Sequence, residues 1–264
     1  MFTTTTLDLP PSQARTCRPA PDRAPGEDHA ARSSLLGLQR GSHLGRTPAV
    51  AAMEAEVLLR HLERHGEVQA DTLAAELARR VPRPAPPPVP ADRDGTWRAA
   101  AQASAGLEAA ARVAPLGAAL SGNLSAVVQQ ATRAASATHT HPDGVAGAVA
   151  VAIASACFAR GQVAPYQLWP VVVGRMPQGP VRARVAAASE LASSLPPSHA
   201  ARVLRADEGD LAIHVVPFAL WCAARHPNDV EGGLTAACRF PVASPHTPTI
   251  TGGVVGAHAW PEGP

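Results

Sequence analysis

The stretch Gly144-Val145-Ala146-Gly147-Ala148-Val149-Ala150-Val151-Ala152-Ile153-Ala154-Ser155-Ala156-Cys157-Phe158-Ala159 decides the fold. It runs for more than four helical turns, at about 3.6 residues per turn, without a charged side chain. A helix on a protein surface keeps a polar face. One that is apolar all round has to be enclosed by its neighbours. Its many Ala and Gly residues allow those neighbours to come close. Pro142, just ahead of it, suits a first helical turn, where a missing N–H costs no bond. The run is shorter than the roughly 20 apolar residues of a membrane span, so it reads as the central helix of a globular protein.

Working outward, most of the chain shows helical spacing. Met53, Val57, Leu58 and Leu62 place a helix over 49–65, and Asp71-Thr72-Leu73-Ala74-Ala75-Glu76-Leu77 opens another. Further helices are expected over 97–112, 125–137, 143–160, near 180–194, and over 200–204, 216–225 and 231–238. Gly and Pro punctuate nearly every boundary, as at Ser121-Gly122-Asn123. Alternating strand patterns are scarce, and Val171-Val172-Val173 is too short to carry a sheet. The expected class is all-α: one compact helical domain over 31–264. Residues 1–30, rich in Thr, Pro, Arg and Asp, read as a disordered tail. The run Arg83-Pro84-Ala85-Pro86-Pro87-Pro88-Val89-Pro90 reads as an extended loop.

Composition excludes more than it assigns. The 264 residues are enough to bury a core without staples. With aromatics at only 3%, that core must be built from Ala, Val and Leu. All 23 Lys+Arg residues are arginine, and they are scattered. With a net charge of +2 the chain has no concentrated basic face, and so no clear nucleic-acid surface. Cys17, Cys157, Cys222 and Cys238 include no C-x-x-C pair, so no zinc site is expected. Cys157 and Cys222 lie in apolar runs and read as buried small hydrophobes. The N-terminus lacks a basic stretch followed by an apolar one, so neither export nor membrane insertion is expected, and the expected location is the cytoplasm.

Three blocks then resemble a known family. Arg112-Val113-Ala114-Pro115-Leu116-Gly117, Ala137-Thr138-His139-Thr140-His141-Pro142-Asp143-Gly144 and Ala146-Gly147-Ala148-Val149-Ala150 look like the middle of ADP-ribosylglycohydrolases. Leu35-Leu36-Gly37-Leu38 with Gly41 resembles the family's opening helix. Val216-Pro217-Phe218-Ala219-Leu220-Trp221 and Gly252-Gly253-Val254-Val255-Gly256-Ala257 resemble its late segments, in the family's order. The resemblance implies an all-α fold and an ADP-ribose or ADP-ribosylated partner. It also implies hydrolysis of the glycosidic bond to ADP-ribose, assisted by two magnesium ions.

The residues that would carry that chemistry have drifted. Magnesium wants oxygen ligands, with carboxylates to supply charge. The family's Thr-Asp-Asp-Thr falls at Pro48-Ala49-Val50-Ala51, and the aspartates of its Asp-x-Asp-Thr fall near Ala243 and Pro245. No Asp or Glu lies between Asp28 and Glu54, or between Glu231 and Glu262. Thr247 or Thr249 could keep a hydroxyl there, and His246 a nitrogen. No metal cofactor is therefore expected, and no catalytic residue is assigned. The family's Gly-Asn-Gly loop appears as Gly106-Leu107-Glu108, where Leu107 and Glu108 are expected to add bulk and like charge beside a diphosphate. The candidate ligand-binding residues are Gly106, Arg112, His139 and His141. Arg112 reads equally as a structural ion pair. His139 matches the family's histidine after Thr, and His141 reads chiefly as a cap of the long helix. Glu54 and Glu56 are expected on a solvated helix face. The chain is thus expected to be a catalytically impaired ADP-ribosylglycohydrolase-like protein. The alternatives are an active hydrolase with a rebuilt metal site and a non-catalytic interaction scaffold.

Overall fold

A computed structural model describes residues 25–44, 50–81, 107–239 and 244–259. Among the described residues every regular element is a helix. In chain order they are α1 (Pro25–Leu44), α2 (Val50–His65), α3 (Ala70–Arg80), α4 (Glu108–Arg112), α5 (Ala114–Ala119) and α6 (Leu124–Ser136). There follow α7 (Pro142–Ala159), α8 (Pro165–Arg175), α9 (Pro180–Ser189), α10 (Pro197–Val203), α11 (Ala212–Arg225), α12 (Val230–Cys238) and α13 (His246–Ala259).

The uncharged stretch is α7, and it is the axis of the molecule. Gly144 and every residue from Ala146 to Phe158 are buried. Helices α4, α5, α6, α8, α9, α11 and α13 all pack on it. Among the described residues α7 is long and apolar enough to cross a membrane by length and composition, but it is enclosed by protein. Its entry is built as the residue types require. Pro142 sits in the first turn, and His141 caps the helix by accepting the Asp143 N–H on Nδ1 at 3.2 Å. Asn123 caps α6 in the same manner, its Oδ1 accepting from Ser125 N and Ala126 N at 3.1 Å each.

With few aromatics, cohesion comes from close approach. A Cβ added to Gly37 of α1 would lie 2.1 Å from the Gly252 carbonyl oxygen of α13, and one added to Gly41 would lie 2.1 Å from that of Pro248. The two backbones therefore touch directly along their length. A Cβ added to Gly117 of α5 would likewise lie 2.1 Å from the Ala152 carbonyl oxygen of α7. Ser34 Oγ donates to the Gly253 carbonyl at 2.6 Å, which satisfies a fully buried hydroxyl in that seam.

Several expectations need correction. Residues 25–30, assigned to the tail, begin α1: Ala30 is buried, and Glu27 Oε1 accepts the Gly122 N–H at 2.7 Å. Residues 1–24, the proline run 83–90, Gly106, Ala49 and Ala243 lie outside the described residues. Val171-Val172-Val173, too short to carry a sheet, lies in α8, which none of the expected helices covered and which carries Pro170 internally. Cys157 and Cys222 are buried free thiols, as expected. Burial pushes the Cys157 thiol up to about 11, and Cys222 is raised further by the same cause. Cys238 is free and exposed.

Candidate functional site

A cluster of polar side chains, the mouth, forms where α4 begins, where α6 turns into α7, and where the segment before α11 meets the start of α13. Its foundation is Arg112, the last residue of α4, which is completely buried. Arg112 Nη1 donates to Glu54 Oε2 at 3.0 Å. Nη2 donates to the Ala134 carbonyl at 2.8 Å and to Thr138 Oγ1 at 2.5 Å. Nε finds no hydrogen-bond partner among the described residues. Arg112 therefore ties α2, α4 and α6 together and is not presented at a surface. Glu54, expected on a solvated face, is only 1% exposed and is its counter-ion. Glu56 does lie on the outer side, half-exposed, with Arg60.

Thr138 passes the arrangement outward. Its oxygen accepts from Arg112, so its own proton is available to His139 Nδ1, 2.7 Å away. His139 Nε2–H then faces Glu108 Oε2 at 3.3 Å. The His139 ring is buried, while half of the Glu108 side chain meets solvent. The hydrogen bond from His139 is the chief reason that the Glu108 carboxyl is held down at about 2. Burial opposes this, and the backbone, His139 and His246 add to it. Leu107, expected to crowd the mouth, points the other way: it is 1% exposed and belongs to the core. The chain accommodates Leu107 by turning it inward, leaving Glu108 as the only departure of the pair that faces outward.

The opposite wall was not visible in sequence. Asp210, in the loop before α11, reaches the start of α13. Ser244 Oγ donates to Asp210 Oδ1 and accepts the His246 N–H at 3.1 Å. His246 Nδ1 lies 3.4 Å from the same Asp210 oxygen. Burial pulls the Asp210 carboxyl up, but the bonds from His246 and Ser244 outweigh it, so the acid lies below its ordinary range. These are the residue types of a nucleophile triad, but Ser244 is fully buried and its proton goes to Asp210, while its oxygen lies 3.5 Å from His246 Nδ1. The trio is a brace for the start of α13. Glu108 is felt at Asp210, and His246 at Glu108, so the two walls share one electrostatic environment.

Thr247 and Thr249 are buried: Thr247 Oγ1 donates to the Ser244 carbonyl at 3.3 Å, and Thr249 Oγ1 lies 3.4 Å from Ser42 Oγ. Of the four ligand-binding candidates, His139 lines the mouth, Arg112 supports it from beneath, His141 caps α7, and Gly106 is outside the described residues. Sequence reading missed Asp210, which no local motif marks. A separate open groove of about 430 Å³, lined by Pro165, Tyr166, Trp169, Pro170, Val173 and Glu190, lies on α8 and α9 and shares no residue with the mouth.

An all-helical protein with an apolar central helix and a polar mouth at the starts of α4 and α13 is the class that fold and site define. The ADP-ribosylglycohydrolase family profile matches residues 29–259, and the chain belongs to that family. Among solved structures it is similar to a chain described as an ADP-ribosylglycohydrolase-related protein complex. The two share 17% identity over 89% of each chain, with a TM-score of 0.63, a likeness of fold. No curated protein matches it.

Proposed function

We propose that this chain is a family member that retains an ADP-ribose-binding mouth without magnesium-dependent hydrolysis. The observation carrying the reading is the state of the two carboxylates at the mouth. Glu108 is engaged by His139, and Asp210 by Ser244 and His246. Two acid–imidazole pairs on opposite walls are not the oxygen cage that a magnesium pair requires. The family's ligand positions carry Ala49, Val50, Ala243 and Pro245, so the residues present do not fit that cofactor. A ribose hydroxyl can donate to Glu108, whose ionised carboxyl accepts it. The same charge and that of Asp210 repel a diphosphate, so affinity is low. A cytoplasmic location belongs to this reading.

The test uses purified full-length chain with ADP-ribosylated arginine, serine and DNA, with and without magnesium and chelator. The expected result is no ADP-ribose release above the blank. Calorimetry with free ADP-ribose is expected to give weak binding, lost in His139→Ala. Robust chelator-sensitive turnover would mean a rebuilt metal site and would overturn the reading. Absence of any ADP-ribose binding would leave an interaction scaffold in its place.

A further inference from the structure

At the far end of α2, remote from the mouth, lies a second constellation: His61 and His65 on α2 and Glu76 on α3. The two histidines are four residues apart and so share one helix face a turn apart. Their rings lie 4.5 Å apart, tilted by 42°. Glu76 Oε2 is 3.2 Å from His61 Nδ1. One ligand atom from each of the three residues lies within 4.8 Å of the others. His61 and Glu76 are buried, and His65 Nε2 is a buried nitrogen without a hydrogen-bond partner. An imidazole nitrogen shut away from water and unpaired is costly unless something accepts its lone pair or proton.

We propose that His61, His65 and Glu76 form a binding site for a zinc-class divalent cation. Two imidazoles and one carboxylate are a donor set that zinc and its neighbours accept. Magnesium and calcium, which prefer oxygen, do not suit it. Zinc bonds of about 2.0–2.2 Å require the three donor atoms to draw together around one ion, by rotation of His65 on the outer side of the group. The rearrangement balances without a redox step. His61 now accepts the Gln69 N–H on Nε2 at 3.1 Å, so its proton sits on Nδ1 and points to Glu76. On binding, that proton moves to Nε2, Nδ1 and Glu76 Oε2 take the ion, and the hydrogen bond from the Gln69 N–H to His61 is given up. Arg64, bonded to Glu76 Oε1 at 2.8 Å, holds the carboxylate in place from outside. With three protein ligands, a water completes a tetrahedral shell.

The site is independent of the mouth. His61 lies seven residues beyond Glu54, the α2 residue that pairs with Arg112, about 10 Å along the helix at 1.5 Å per residue. The experiment is zinc titration of chelator-stripped full-length protein by calorimetry, with cobalt absorption as a reporter of tetrahedral geometry. Wild type should bind one ion, and its melting temperature should rise with zinc. His65→Ala, chosen because His65 is only half-buried and should fold, is expected to weaken binding by at least about 10-fold. Glu76→Gln should do the same, while Cys238→Ser and His246→Ala should leave binding unchanged. Binding that survives both His65→Ala and Glu76→Gln, or no binding to folded wild type, would overturn the proposal.

Discussion

At the residue scale, the decisive pair is Arg112 and Glu54. Both are out of water, and the guanidinium also holds Ala134 and Thr138. Removing one partner strands a buried charge. We expect Glu54→Ala to lose about 3–5 kcal/mol in urea unfolding. The double change Glu54→Leu with Arg112→Met should recover much of that loss, because it removes both charges and fills the space. A double variant no more stable than Glu54→Ala would mean that Thr138 and Ala134, not the ion pair, dominate.

Glu108 makes a prediction in pH. Its folded carboxyl lies at about 2, below the ordinary 4.5. A depressed acid contributes stability that is fully present above its unfolded value and is lost as pH falls toward the folded one. The wild type should therefore lose stability between about pH 4.5 and pH 2. In Glu108→Gln that portion of the acid slope should shrink, as read by thermal melts across the range. Identical slopes would show that the His139 contact does not hold Glu108 down. The sequence flagged His139 and Glu108 separately. Nothing in it paired them, because 31 residues separate them and only the α6–α7 turn brings them into contact.

At the element scale, the seam between α1 and α13 is made of backbone against backbone. Any side chain at Gly37 would collide with the Gly252 carbonyl, whereas Gly26 has nothing within 4 Å. Gly37→Ala should destabilise by at least about 3 kcal/mol, the upper end of overpacking costs. Gly26→Ala, near the start of the same helix, serves as control and should be neutral or slightly stabilising through helix propensity. Equal melting temperatures for the two variants would deny the close approach. The elements that sequence reading missed have plain causes. In α8 the internal Pro170 and the three consecutive valines both argue against helix in isolation, and burial of Leu168, Trp169 and Val172 overrides them. The short α5 carries no periodic pattern because all six of its residues are buried.

At the scale of the whole molecule, the chain's beginning tests where the domain starts. Removing residues 1–30 cuts into α1, taking away the Glu27–Gly122 bond and buried Ala30, whereas removing 1–24 spares both. The longer deletion should melt measurably lower than the shorter one. Equal melting temperatures would mean that the first turns of α1 add nothing to the core.

Sequence alone determined the helical class and the central place of 144–159. A stretch with no polar face has one stable environment, and that demand is local and additive. It also determined the family, through blocks whose order survives along the chain. Tertiary structure decided how the polar side chains at the mouth pair. Asp210 arrives at Ser244 and His246 from 34 residues away, Glu54 turns inward to neutralise Arg112, and Leu107 retreats into the core while Glu108 meets His139. Each outcome depends on which charges and donors face one another once helices pack. A buried charge is stabilised by whatever partner geometry brings near, and spacing along the chain does not encode that partner.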